Sequence, residues 1–156
     1  MARINSDIIK KTIAYLEDEF SLFIIPGDQY YYDSAIDTVF YIKKELYSTV
    51  GYSSFLHEAS HAILGHINYK SELELLATET RAWELASKIA DSFGITIPDK
   101  LISSSLESYE SFALNRGLCP TCNRFIISSM SVYHCLFCDT HWHCSQDFDT
   151  KKIISI

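Results

Sequence analysis

No cysteine precedes Cys119 in this 156-residue chain, so no disulfide can brace its first three quarters. Positive charge is scarce: 13 Lys and Arg stand against 20 Asp and Glu, for a formal net charge of -7. Such a balance argues against tight non-specific nucleic-acid binding, which draws on Lys and Arg to displace counterions. No apolar run approaches the length of a membrane span. The opening MARINSDIIKK is interrupted by charge before an apolar stretch develops, so it does not read as a secretory signal. A cytoplasmic location is the expectation. Internal repeats and low-complexity tracts are also missing. What is left is 47% hydrophobic and 21% charged, ordinary for a globular protein with one core, or one domain and a small appendage.

Within that composition one run stands out, Phe55-Leu56-His57-Glu58-Ala59-Ser60-His61. It is HExxH in an apolar segment that reads as a helix. Two His four residues apart lie one turn apart on one helical face, so their imidazoles can converge on one zinc ion. Glu58 can then take a proton from the attacking water.

The rest of the chain divides readily. Asn5 or Ser6 caps a helix running to about Phe20. Ser21–Ile25 reads as a short strand, and Tyr30–Tyr32 and Thr38–Ile42 as a hairpin. The HExxH helix is expected from about Tyr52 to His66, capped by Ser53 or Ser54. A long helix begins near Ser71 and stops at Gly94. Asp99 opens a further helix, weakly amphipathic, that Gly117 ends. Composition changes at Leu118, which places the domains at 1–98, 99–117 (a connecting helix) and 118–156.

A catalytic zinc takes three protein ligands. The candidates for the third are His66, Glu72, Glu74, Glu79 and Glu84. His66 follows His61 by five residues, about 140° around a helix, and reads as a helix-end residue favourable to the dipole. The long helix carries an apolar stripe through Leu75/Leu76, Ala82/Trp83, Ala86, Ile89/Ala90 and Phe93, with Glu79 in its middle. A carboxylate on a buried stripe is costly unless paired or bound to metal. A salt bridge to Lys43 or Lys44 would compensate it; so would zinc, which the HExxH motif favours.

The stretch His57-Glu58-Ala59-Ser60-His61-Ala62-Ile63-Leu64-Gly65-His66 resembles the HExxHxxLGH motif of the ImmA/IrrE-type metallopeptidases. Glu79-Thr80-Arg81-Ala82-Trp83-Glu84-Leu85-Ala86 resembles the family's following E-x-x-A-x-x-F-A helix, with Leu85 in the aromatic position. The resemblance covers about Tyr30 to Ala90 and implies Glu79 as the third ligand. It departs at Asp91-Ser92-Phe93-Gly94, where the family has Leu-Met-Pro, and no helix-turn-helix segment is apparent. The expected fold is α+β: a small antiparallel sheet packed on a zincin-like helical core, then a helix and a C-terminal zinc ribbon.

That ribbon is read from Cys119-Pro120-Thr121-Cys122 and Cys135-Leu136-Phe137-Cys138. Each CxxC knuckle presents two thiolates, and four soft ligands close a structural zinc site. Phe125–Ile127 and Val132–Tyr133 are expected to form the ribbon's hairpin. His141, His143 and Cys144 are left over and could form part of another site or replace one knuckle ligand; the simpler reading is that Trp142 packs on the ribbon, leaving His141 and His143 exposed and Cys144 a spare thiol.

The sequence thus points to a zinc metalloendopeptidase with one catalytic and one structural zinc. Glu58 is the catalytic residue; His57, His61 and Glu79 hold the catalytic ion; Cys119, Cys122, Cys135 and Cys138 hold the other. The expected substrate is a specific intracellular protein. The family resemblance implies regulated cleavage, often of a phage or mobile-element repressor. The ribbon is expected to bind protein rather than nucleic acid, and no membrane is involved. Two alternatives are a catalytically idle adaptor working through its ribbon and a SprT-like protease of DNA-bound proteins. The second takes a third His downstream, whereas no His lies between His66 and His134.

Overall fold

The computed structural model describes residues 3–128 and 132–144 in full and 152–155 by backbone. Four helices and six strands occur among them. They run in the order α1 (Ser6–Phe20), β1 (Phe23–Pro26), β2 (Tyr31–Asp33), β3 (Thr38–Tyr41), α2 (Thr49–Leu64), α3 (Glu72–Ser92), α4 (Asp99–Gly117), β4 (Val132–His134), β5 (His141–Cys144) and β6 (Lys152–Ser155). No helix among the described residues is long and apolar enough to cross a membrane. The chain forms two compact units, 1–67 with 80–102, and 68–79 with 103–156. The division falls inside α3, between Glu79 and Thr80.

In the first unit, Asn5 caps α1 by accepting the Asp7 N–H (2.9 Å). The small sheet has the order β1-β3-β2. It is mixed, which corrects the expected antiparallel sheet: β2 pairs antiparallel to β3, but β1 pairs parallel to it. The reason lies at Pro26-Gly27, which does not fold β1 back onto β2. Gly27 N–H instead donates to the Tyr41 carbonyl (2.8 Å), extending the parallel ladder. The β2–β3 hairpin then takes the other edge of β3, through a turn with Asp37 in the left-handed region (φ 51°).

Helix α2 packs against β2 and β3. It starts earlier than its sequence suggests, because Ser48 rather than Ser53 or Ser54 is the cap; Ser48 Oγ accepts the Gly51 N–H (3.0 Å). Thr49, Val50 and Gly51 are poor helix formers, and packing overrides that preference. Gly51 is required there: a Cβ would stand 2.2 Å from the Glu45 carbonyl oxygen. Phe55, Leu56 and Ala59 are fully buried, and Tyr52 shares a buried hydroxyl contact with Thr12 of α1 (2.7 Å). That anchored face fixes where the next turn, with His57 and His61, must point.

In the second unit a thin core gathers Cys119, Tyr133, Cys135, Trp142 and Cys144. The ribbon's hairpin differs from expectation: β4 pairs with β5, across the second knuckle, and β5 with β6. Phe125 makes a single bridge to Leu118. The knuckle itself is thus the hairpin's turn. Trp142 is fully buried and His141 exposed as anticipated, but Cys144 is buried beside the Arg116 carbonyl.

The first turn of α3 and the last turn of α4 meet that core through charge. Arg116 Nε lies 2.6 Å from Glu72 Oε1, both side chains almost wholly buried. Tyr133 Oη donates to Glu72 Oε2 (2.5 Å), Trp142 Nε1 donates to the Arg116 carbonyl (3.0 Å), and the guanidinium lies over the Phe112 ring. Removing one member of such a pair strands a buried charge. Arg116→Met is therefore expected to destabilise this unit by about 3–5 kcal/mol. Urea unfolding followed by tryptophan emission measures it. Adding Glu72→Leu should recover much of the loss, because both buried charges are then gone; no recovery would mean that the pair contributes through shape alone.

Candidate metal centres

Helix α2 ends at Gly65, which takes the left-handed conformation (φ 64°) and sends its N–H to the Ala62 carbonyl. His57 is buried on this helix, and Glu58 and His61 are half-buried. On α3, the apolar stripe is buried as its spacing requires: Leu75, Ala82, Trp83, Ala86, Ile89 and Ala90 are all inside. Glu79 is inside with them, 7% exposed. Of the other carboxylates considered, Glu74 and Glu84 are exposed, and Glu72 is committed to Arg116.

His57, His61 and Glu79 come together, each offering one ligand atom, with all three atoms within 4.8 Å of one another. The Nε2 atoms of His57 and His61 stand 3.1 Å apart. Two Zn–N bonds of about 2.0–2.1 Å at the tetrahedral angle place their nitrogens about 3.3 Å apart, so the pair fits one ion. Two neutral imidazoles and one carboxylate are also a donor set suited to zinc.

Three further contacts surround this group. The Trp83 ring stacks on His57 (centroids 4.2 Å, 25° between planes) and sets its plane. His66 Nδ1 lies 3.0 Å from His61 Nδ1, on the side of the ring away from His57. His66 lies just past the helix end, and its ring also meets His61. The chain reversal at Gly65 brings the ring back, and the His66 N–H also donates to the His61 carbonyl (3.0 Å). Last, the Tyr32 backbone N–H donates to Glu58 Oε2 (3.0 Å). Trp83 had a signal in its place four residues beyond Glu79. Tyr32 had none, because only its backbone is used.

In the second unit the four knuckle cysteines gather as one group. All five cysteines are thiols, without a disulfide. Cys119 Sγ and Cys138 Sγ are 3.5 Å apart, as are Cys122 Sγ and Cys135 Sγ. That is far beyond a sulfur–sulfur bond. It is close to the about 3.8 Å that two Zn–S bonds of about 2.3 Å span in a tetrahedron.

The two knuckles are built alike. Cys119 N–H donates to the Arg124 carbonyl and Asn123 N–H back to Cys119; Cys135 N–H donates to Thr140 and Asp139 N–H back to Cys135. Asn123 and Asp139, each one residue past its knuckle, hold φ of 57° and 61°. Asn and Asp tolerate that conformation better than other non-glycine residues. Burial raises the Cys119 thiol pKa, but the N–H groups of Cys122 and Thr121 outweigh it and hold the thiol at about 6. The Thr140 hydroxyl and N–H lower Cys138 as well. For Cys122 the Arg124 N–H favours the thiolate, yet burial and the neighbouring thiols prevail and raise it to about 12. Cys119 and Cys138 are thus biased toward the thiolate form that a divalent cation takes.

The chain therefore has two candidate metal centres, a His-His-Glu group and a four-cysteine group. Comparison with known proteins finds no family, curated protein or solved structure that matches it.

Proposed function

We propose that the chain is a zinc metallopeptidase that cleaves a specific protein, with His57, His61 and Glu79 as ligands of its catalytic ion. The observation that carries this reading is the burial of Glu79 beside the paired Nε2 atoms of an HExxH motif. A zinc ion at this group supplies Lewis-acid polarisation of a peptide carbonyl and eases deprotonation of water. Glu58 accepts the proton of the attacking water and passes it to the leaving amine as the C–N bond breaks. The Tyr32 N–H orients its carboxylate for both transfers. The sequence resemblance to ImmA/IrrE-type enzymes supports regulated cleavage of an intracellular protein such as a mobile-element repressor. The four-cysteine group holds a second, structural zinc, and the ribbon is a surface for protein rather than nucleic acid.

The test is zinc content together with cleavage. The purified chain should hold two zinc ions and Glu79→Ala only one. New protein N-termini, mapped by mass spectrometry, should appear in cells expressing the chain and not in cells expressing Glu79→Ala. Two tightly held zinc ions in Glu79→Ala would rule out this ligand set, and identical termini would rule out proteolysis.

His66 has a role that can be measured apart from catalysis. With a metal on His61 Nε2, the ring would carry its proton on Nδ1 and could donate it to His66 Nδ1, 3.0 Å away. His66→Ala is expected to weaken zinc binding at this centre by about 10–100-fold, and His66→Asn, which keeps an acceptor, by less. Competition with a chromophoric chelator gives both values.

A further inference from the structure

The second knuckle carries a group of side chains that the four-cysteine centre does not use. His134 immediately precedes Cys135, Asp139 immediately follows Cys138, and His141 opens β5. His134 and His141 are directly opposed across the β4–β5 ladder. Directly opposed residues hold their Cβ atoms about 4.5–5.5 Å apart, which suits two side chains sharing one ligand. Their rings lie with centroids 4.1 Å apart and 5° between planes. His134 Nε2 is 2.7 Å from Asp139 Oδ1. All three side chains face solvent, and one ligand atom from each lies within 4.8 Å of the other two.

We propose that His134, Asp139 and His141 form a third metal site, an open surface site for a borderline divalent cation such as Zn2+ or Cu2+. Two imidazoles and one carboxylate are the donor set such ions take, and three protein ligands leave positions for water or an incoming group. The backbone is already fixed for it. Cys135 N–H to Thr140 O and Asp139 N–H to Cys135 O, both 2.8 Å, close the knuckle that separates the three residues. Asp139 is held in the left-handed conformation, which turns its carboxylate toward His134. Stacked rings direct their lone pairs side by side, so one imidazole must turn about its χ2 to aim at a shared ion. Both rings are exposed, and that turn costs little.

This site also depends on its neighbour. The residues between His134 and Asp139 are the knuckle itself, so an ion on the four cysteines would fix the spacing of those two ligands. The inner centre binds through sulfur and the outer one through nitrogen and oxygen; the two therefore differ in the ions they prefer and in how readily they exchange them.

The experiment uses the full chain carrying two equivalents of zinc, titrated calorimetrically with Zn2+ and separately with Cu2+. A third equivalent is expected, weaker than the first two. His134→Asn and His141→Asn should each weaken it by more than about tenfold, since loss of outer-shell partners alone reaches 10–100-fold. His143→Asn, outside the group, should leave it unchanged. Copper electron paramagnetic resonance should show two nitrogen ligands in the parent chain and one in each His variant. Sulfur-to-cobalt charge-transfer absorption in the Co2+-loaded variants checks that the ribbon is still folded. Saturation at two equivalents would overturn the proposal. A third equivalent that His134→Asn and His141→Asn leave untouched would also overturn it, and the three residues would then be a surface ion pair with a stacked neighbour. Neither outcome bears on the His57–His61–Glu79 reading, which is measured in the first two equivalents.

Discussion

Glu58→Gln is expected to slow peptide hydrolysis by about 10²–10⁴-fold, the usual worth of a positioned general base, while leaving zinc content unchanged. The two halves of that expectation have separate causes. The amide keeps the shape of the carboxylate, and its oxygen can still accept the Tyr32 N–H that now holds Glu58 Oε2 (3.0 Å). The helix and the ligand group, to which Glu58 does not belong, are therefore undisturbed. What is lost is basicity: a primary amide cannot hold the proton taken from water at neutral pH. Measurement needs a cleaved substrate, found from the new N-termini, and single-turnover rates on that substrate. A variant that cleaves at the parent rate would show that Glu58 is not the base, whatever the metal does.

Cys135→Ser is expected to unfold the ribbon. Structural zinc sites of this kind contribute apparent binding free energies of about 10–16 kcal/mol, and that energy is folding energy where the unfolded chain has no site. The second unit shows why it cannot do without. Its buried cluster is one Tyr, one Trp and three Cys, and two of those sulfurs are zinc ligands in this reading. So small a core falls short of the chain entropy it must offset. Serine is a poor ligand for a soft-metal site, and its hydroxyl would be buried at a fully enclosed position. The expected results are one zinc lost per chain, a tryptophan emission shifted toward that of solvated indole, and rapid proteolysis after residue 117. Parent-like emission and protease resistance with the zinc gone would mean that the Glu72–Arg116 pair and its partners hold the ribbon alone.

Much of this arrangement was legible because it is periodic or covalently spaced. HExxH fixes two imidazoles on one turn, the stripe on α3 singles out Glu79, and CxxC spacing gathers the cysteines. What escaped was set by tertiary choice. Strand propensity marks β1, β2 and β3 but not their pairing, so the parallel β1–β3 ladder was missed. The early start of α2 was hidden by residues whose intrinsic preference packing overrides. The ion pair of Glu72 and Arg116 had no signature either: residues 44 apart in sequence meet only because two helix ends close on the same small core. An ideal helix would carry His66 away from the site, but α2 ends at Leu64, two residues before it, and the turn at Gly65 brings the ring back.

The stacked ring contacts have a practical consequence. The chain contains two tryptophans, and they divide between the two centres. Trp83 lies against His57, and Trp142 stacks on Tyr133 (5.0 Å, 6°) within the cysteine-lined core. Indole emission responds to the charge of a ring pressed against it and to the packing of its surroundings. Each candidate centre thus has its own indole beside it, and a chain keeping only one tryptophan would report the loading of that centre by light alone.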